Sequence, residues 1–447
     1  MSGITSEITI GSLNRFLTFI LQSEKNKEPG FNYYYRGEPR YFEMRTPSLY
    51  LNRRLTLDGS EKYYKTLFNE LGMSEYSDNS TLVRKLAELQ HYGAKTRILD
   101  ITKNPLVALY FAVTNEPFED GYVYLFKEEI LKEKYDSGHT VAIKSAINLM
   151  PKNILDKFLK IMQLALIDIS EYDPELREDQ IKYGDDVVFY YTSDQLIEKV
   201  GWEEMLCKDD PDNYCLCDQF GNVVFLKELF DSESDKAFWN DLESVDDHLE
   251  ILTEKINNII KTFMEVLNQR AKSNERLQFP LAIYRDLTTT QFVHASKNTD
   301  RIKQQQGMFV YPAYVCVDNL LTNLLSKFEV PSQKFFDYLK KLDVYEFLIS
   351  EYESKNKIIS ILQQDKEEAR ELEEKARHYL YKKNIHASIQ DMSAELSTNK
   401  KDEKGIKVIK IPKEYKRAIK KDLAIIGITD GFIFPDIEHI SKALLKE

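Results

Sequence analysis

Residues 90–113, QHYGAKTRILDITKNPLVALYFAV, decide the fold of this chain. Gly93 is placed to end the helix that precedes it, because glycine readily adopts the left-handed conformation of a helix C-terminus. Thr96 to Leu99 predict a short buried strand. Asn104 and Pro105 are typical of the N-cap and first residue of a second helix. The apolar run that follows is too continuous to face water, so we expect this second helix to be buried along its whole length.

Polar residues cluster where these two buried elements meet. Arg97, Asp100, Thr102 and Asn104 all lie in or beside the predicted loop. Polar groups in such a place need partners, so they form either a structural hydrogen-bond network or a binding site. For Arg97 and Asp100 we favour the structural interpretation.

Several blocks of this chain resemble the FRG domain family. The central segment at 90–113 is the most specific of them. The other matching blocks are Tyr35, Arg36 and Gly37, the segment at 46–50, the segment at 301–309 and the closing segment at 406–440. The resemblance runs from about residue 30 to the C-terminus, with long insertions, and it implies the fold more firmly than the activity.

Three segments also resemble ADP-ribosyltransferases of the Arg-Ser-Glu type. That resemblance assigns catalytic roles to Arg36 on an early strand, Thr102 on a middle strand and Gln305 near a later strand, with the helix at 108–112 after the second segment. It implies NAD as the substrate, because a planar guanidinium holds a pyrophosphate bidentately and a hydroxyl positions the ribose. The sequence departs from the pattern at 304–306, where three Gln residues replace the catalytic Glu. A Gln cannot supply the charge that stabilises the transition state.

The resemblance and the neighbouring residues give a set of candidate NAD-binding positions: Arg36, Gly37, Ser48, Asp100 and Asn104. Most of them have a structural alternative. Arg36 pairs with a buried acid, for which Asp100 is the natural partner. Gly37 supports the binding interpretation of Arg36, because glycine permits a ligand to approach the backbone closely. Ser48 stabilises a turn after a proline, and Asn104 caps a helix.

Three further groups lie near the predicted site. Glu38 and Asp100 are the acids available to replace the missing Glu. His91 sits at a helix end, where we favour a capping role over a catalytic one. The tyrosines at 33–35 alternate in direction along a strand, and core burial is the favoured interpretation over stacking on a ligand.

Composition limits the class of protein. The 447-residue chain has a formal net charge of −12, which argues against an extended nucleic-acid surface. We expect no signal peptide, no membrane span and no metal site, and a cytoplasmic location. The four cysteines are too few for a disulfide scaffold, and we interpret them as reduced thiols: Cys207, Cys215, Cys217 and Cys316.

The predicted fold class is α+β, a small mixed sheet with large helical insertions. The expected units are an N-terminal core at 1–126, a mostly helical insertion at 127–275, returning strands at 276–318, a charged helical insertion at 319–405 and a closing segment at 406–447. Predicted strands cover 32–36, 121–126, 182–191, 222–226, 279–284 and 307–311. Predicted helices cover 8–23, 63–71, 142–166, 320–341, 351–384 and 411–423, with a linker at 397–405.

The leading functional hypothesis is NAD-dependent ADP-ribosyl transfer, as a toxin or defence effector. The alternative is a non-catalytic nucleotide- or partner-sensing module whose helical insertions bind protein; the macromolecular target is open in both. An acid beside the Arg36 cleft favours the enzyme, and a closed Arg–Asp network in that space favours the sensor.

Overall fold

The computed structural model describes most of the chain. The described residues are 7–72, 81–172, 191–202, 206–207, 215–217, 223–225, 245–273, 275–294, 300–317, 321, 325, 332–364, 366–396 and 405–435. The predicted strand at 182–191 falls almost wholly outside them, as does nearly all of the predicted linker. None of the described helices has the length and apolar character needed to cross a membrane.

A mixed eight-stranded sheet forms the centre of the described structure, in the order β1-β11-β4-β2-β3-β10-β9-β5. Its strands are β1 (Glu7–Thr9), β2 (Phe31–Glu38), β3 (Leu99–Thr102), β4 (Gly121–Glu129), β5 (Lys134–Tyr135), β9 (Gln291–His294), β10 (Gly307–Tyr311) and β11 (Val408–Ile411). A separate antiparallel sheet joins β6 (Leu206–Cys207), β7 (Cys215–Cys217) and β8 (Val223–Phe225). With the helices below, this confirms the predicted α+β class.

Helices surround the sheet and fill both insertions. They are α1 (Leu13–Lys25), α2 (Arg53–Leu57), α3 (Glu61–Glu70), α4 (Leu82–His91), α5 (Pro105–Val113), α6 (His139–Ala146), α7 (Lys152–Tyr172), α8 (Ser193–Lys199), α9 (Val245–Ala271), α10 (Pro280–Thr288), α11 (Asp300–Gln305), α12 (Gln333–Lys341), α13 (Tyr345–Tyr352), α14 (Lys355–Gln364), α15 (Lys366–Gln390), α16 (Lys413–Ile425) and α17 (Asp430–Ile433).

The alternation of side chains along β2 divides the core into two layers. Tyr35 packs with α1, α5, α16 and α17 on one face of the sheet. Tyr34 packs with α3, α4 and the end of α15 on the other. Both rings are buried, as the period of two predicts, whereas Tyr33 is half-buried.

Helix α5 lies directly on the backbone of β2 and β4. A Cβ built on Gly37 would stand 1.8 Å from the carbonyl oxygen of Ala108, and one built on Gly121 would stand 2.1 Å from that of Ala112. Two glycines on neighbouring strands therefore face two alanines on the helix. Because glycine has no side chain, the helix backbone can lie closer to these two strands than it could with any other residue at the two glycine positions.

The insertions have hydrophobic clusters of their own. One cluster is built from α6 to α10, and a second from α12 to α15. The closing segment returns to the main sheet, where β11 pairs with β1 in parallel and with β4 in antiparallel orientation. The unit boundaries given above stay predictions.

Several predicted elements are confirmed. The strands predicted at 32–36 and 121–126 are present and longer, and the helix predicted at 63–71 is α3. Asn104 caps α5 by accepting a hydrogen bond from the Leu106 backbone at 3.0 Å. Gly93 has the positive φ expected just past a helix end.

Other predictions were wrong, for local reasons. The strand expected at 279–284 is helix α10, because Pro280 suits the first turn of a helix. The strand expected at 96–99 lies three residues later in the chain, as β3 (Leu99–Thr102). The long helix expected at 351–384 is divided, and Glu353 ends α13 in a left-handed conformation. The helix expected at 8–23 begins later, as α1, because Ser12 caps it and the residues before Ser12 include strand β1.

We predict that Gly37→Ala lowers the free energy of unfolding by at least about 3 kcal/mol, because the new methyl group would overlap the α5 backbone. Urea denaturation measures the change. Gly307→Ala is the matched control, since its Cβ would meet nothing closer than 3.9 Å. Equal unfolding midpoints for the two variants would contradict this packing.

Candidate functional site

A cleft of about 210 Å³ opens above β2, β3 and β10, between α5 on one side and α4 and α11 on the other. Arg36, Thr102 and Gln305, the three predicted catalytic residues, all line it. The structure thus brings together three segments that are far apart in the sequence. The chemical roles of these three residues stay predictions, and they depend on the hydrogen bonds that each side chain makes.

Arg36 is held at the wall of the cleft by two hydrogen bonds. Its Nε donates to Glu38 Oε1 at 2.9 Å, and its Nη1 donates to the backbone carbonyl of Asp100 at 2.8 Å. A quarter of the side chain is exposed. The predicted acidic partner was therefore wrong in one respect: Asp100 contributes its carbonyl, and the buried carboxylate belongs to Glu38.

Glu38 is shared between two arginines. Arg45 Nε lies 3.3 Å from Glu38 Oε2, and both side chains are less than a tenth exposed. The Arg45 guanidinium also lies over the Tyr124 ring, 3.4 Å from its centroid. Two guanidinium groups thus face one carboxylate, which leaves the cluster with net positive charge beside the cleft.

Thr102 and Gln305 use their polar groups on backbone partners. Thr102 Oγ1 donates to the Gln305 carbonyl at 2.6 Å and accepts from the Asn104 amide at 2.9 Å. Gln305 Nε2 donates to the Ile433 carbonyl at 2.9 Å. Gln305 ends helix α11 and lies just before strand β10. These bonds connect β3, α5, α11 and α17, so the side chains of Thr102 and Gln305 both stabilise the packing of these elements.

The other predicted NAD-binding positions divide into two groups. Asp100 is exposed and lines the cleft, with its carboxylate accepting a hydrogen bond from Gln90 Nε2 at 2.8 Å. Gly37 lines the cleft through its backbone, and its missing side chain makes room for α5. Ser48 and Asn104 do not line the cleft. Ser48 accepts from the Thr96 amide at 3.1 Å, and Asn104 caps α5.

His91, Phe111 and Arg301 are among the cleft residues that the sequence did not identify as site residues. His91 was interpreted as a cap and Phe111 as fully buried, yet Phe111 and Leu106 are only half-buried. Arg301 lies over the Phe434 ring at 4.8 Å. A signal was available for Arg301, because it precedes Gln305 by four positions and shares its face of a helix.

The protonation state of His91 follows from its surroundings. Burial lowers the pKa of the His91 imidazole, and the nearby Arg301 guanidinium lowers it further, while the Asp100 carboxylate opposes them. Its Nε2 is buried and has no hydrogen-bond partner among the described residues. The ring is therefore neutral at pH 7, since its ordinary pKa is already below 7.

Arg97 belongs to a separate, structural network. It is buried and donates to the Tyr50 hydroxyl at 3.0 Å and to Ser60 Oγ at 3.4 Å. Its guanidinium lies near the rings of Tyr50 and Tyr314. The structural interpretation is confirmed for Arg97, although its partners are hydroxyls and aromatic rings.

A second and larger cavity shares no residue with the cleft. It has a volume of about 980 Å³ and lies among α2, α3 and α7. Lys152 at its wall pairs with Asp156 and donates to the Tyr381 hydroxyl at 2.9 Å. Among the described residues, no group of three or more His, Cys, Asp or Glu side chains is arranged to hold a metal ion.

Residues 31–121 match the model of the FRG domain. The chain carries an FRG domain. The match begins with β2 and ends where β4 starts, so it is shorter than the resemblance predicted from sequence. Neither the comparison with curated proteins nor that with solved structures found a match. The FRG domain supplies Arg36, His91, Asp100 and Thr102, and α11 completes the cleft from outside the matched range.

We predict that Thr102→Val lowers the free energy of unfolding by about 1–3 kcal/mol, because it leaves the Asn104 amide and the Gln305 carbonyl without their partner. Thr102→Ser keeps the hydroxyl and is the matched control. Urea denaturation compares the two. If both variants were as stable as the wild type, the hydroxyl would be free to serve a ligand instead.

Proposed function

We propose that the FRG cleft binds the ribose-phosphate part of a nucleotide, with NAD as the candidate ligand, and that the chain acts as a nucleotide-sensing module. The net positive charge at the cleft is the observation that carries this proposal. Arg36 and Arg301 line the cleft together with Asp100. Behind Arg36, the Glu38 carboxylate is paired with both Arg36 and Arg45, so three guanidinium groups stand against two carboxylates. An excess of positive charge attracts a phosphate, and guanidinium geometry matches phosphate oxygens.

The hydrogen-bond donors that Arg36 does not use within the described structure support a ligand contact. Its described hydrogen bonds use Nε and Nη1, and none is made from Nη2 within the described structure. Glu38 and the Asp100 carbonyl fix the plane of the guanidinium, so the remaining N–H groups are oriented before a ligand arrives. Such preorganisation favours binding because less conformational freedom is lost.

The size and walls of the cleft restrict what enters it. Its volume of about 210 Å³ lies below the roughly 300–1,000 Å³ typical of sites that enclose a drug-sized ligand. It therefore suits one end of a dinucleotide. Val107, Phe111 and Phe309 provide apolar wall against which a planar ring packs.

ADP-ribosyl transfer is the second candidate, and one observation favours it. Asp100 places a carboxylate in the same cleft as Arg36, and a carboxylate stabilises the positive charge that develops on the ribose. The backbone bonds of Thr102 and Gln305 favour binding over catalysis, since both side chains already hydrogen-bond backbone carbonyls. By the criterion drawn from sequence, the Asp100 acid beside Arg36 favours transfer. We nevertheless place sensing first, because the side chains of Thr102 and Gln305 are bonded to backbone groups. A role as toxin or defence effector, and protein binding by the insertions, stay predictions.

We predict that Arg36→Gln weakens NAD binding at least tenfold, whereas Arg45→Gln changes it less than threefold, because of these two arginines only Arg36 lines the cleft. Both variants leave Glu38 with one arginine, so both lose a similar stability of about 1–3 kcal/mol. Isothermal titration calorimetry with NAD and with ADP-ribose measures the affinities.

A parallel assay for released nicotinamide separates the two candidates. Binding without release supports the sensing module, and release that is lost in Asp100→Asn supports transfer. Absence of NAD and ADP-ribose binding to the wild type, or equal loss of binding in the two arginine variants, would overturn the proposal.

A further inference from the structure

His91 is a polar group of the cleft whose Nε2 atom has no hydrogen-bond partner in the part of the chain that the structure describes. It is the last residue of α4, and its side chain lines the cleft opposite α5. The Nε2 atom is buried and makes no hydrogen bond with any described residue. A buried polar nitrogen without a partner is destabilising, so natural structures retain few of them without a reason.

The surroundings of the ring define the kind of partner it can take. Arg301 of α11 and Asp100 of β3 face it, and Arg36 of β2 lines the same cleft. Burial and the Arg301 charge lower the pKa of His91, so the ring meets its partner uncharged. A neutral imidazole nitrogen is either a donor or an acceptor, depending on the tautomer. A hydroxyl suits both cases because it can donate and accept.

We propose that His91 Nε2 is a ligand-binding group that hydrogen-bonds a ribose hydroxyl of the nucleotide in the FRG cleft. This inference rests on the proposed function. Arg36 and Arg301 supply charge for the phosphate, and His91 supplies the uncharged contact that distinguishes a sugar-bearing phosphate from inorganic phosphate. His91 is thereby a specificity-determining residue of the site.

Two near-isosteric substitutions separate this role from a packing role. Gln places an amide close to the position of Nε2, whereas Asn reaches only the position of Nδ1. We expect His91→Gln to bind NAD within about threefold of the wild type and His91→Asn to bind at least tenfold more weakly, which corresponds to about 1.4 kcal/mol. Glu88→Gln, on an exposed position of α4, is the control and should leave binding unchanged.

Nuclear magnetic resonance of the histidine side chains gives a second readout on the wild type. Adding NAD should shift the His91 Nε2 resonance, and adding inorganic phosphate at the same occupancy should shift it much less. Thermal melting of each variant records folding separately from binding.

The outcomes distinguish this inference from the one on which it rests. If NAD binds the wild type but His91→Asn binds equally well and the Nε2 resonance does not move, the His91 contact is overturned while the proposed function stands. If NAD fails to bind the wild type, both are overturned. Parallel losses of affinity in the Gln and Asn variants would assign His91 a packing role and also overturn the inference.

Discussion

The close contact between α5 and the backbones of β2 and β4 is the constraint on which the cleft depends. Gly37 and Gly121 give the helix room to lie directly on the sheet, with Ala108 and Ala112 as its contacting residues. The height of α5 above the sheet sets the position of Phe111, which forms one wall of the cleft. A side chain at either glycine would lift the helix and displace that wall.

A buried charge cluster connects the cleft to the second helical insertion. Glu38 joins Arg36 at the cleft to Arg45 behind it, and the Arg45 amide donates to His386 Nδ1 of α15 at 3.0 Å. Burial and the Arg45 charge lower the pKa of His386 to about 4. The folded state therefore disfavours protonated His386, and the stability of this junction falls as the pH drops from about 6.5 toward 4. The electrostatics of the cleft and the docking of α15 thus share one set of residues.

Local chemistry made part of this structure predictable. The Asn104 cap, the positive φ of Gly93 and the alternation of Tyr34 and Tyr35 each depend on a few neighbouring residues, and each was predicted correctly. The convergence of Arg36, Thr102 and Gln305 followed from motif order. The hydrogen-bond partners of these residues could not be predicted from motif order. They are Glu38, the Gln305 carbonyl and the Ile433 carbonyl, and tertiary packing brings them into place. For the same reason the sequence suggested that Gly37 made room for a ligand, whereas it makes room for a helix.

The most direct test of the account is a crystal structure of the chain with NAD. The account predicts that the ligand places a phosphate oxygen or ribose hydroxyl within hydrogen-bond distance of Arg36, inside the cleft beneath α5, with the α5 backbone unmoved. A ligand bound instead in the larger cavity beside Lys152, with the Arg36 cleft empty, would contradict it.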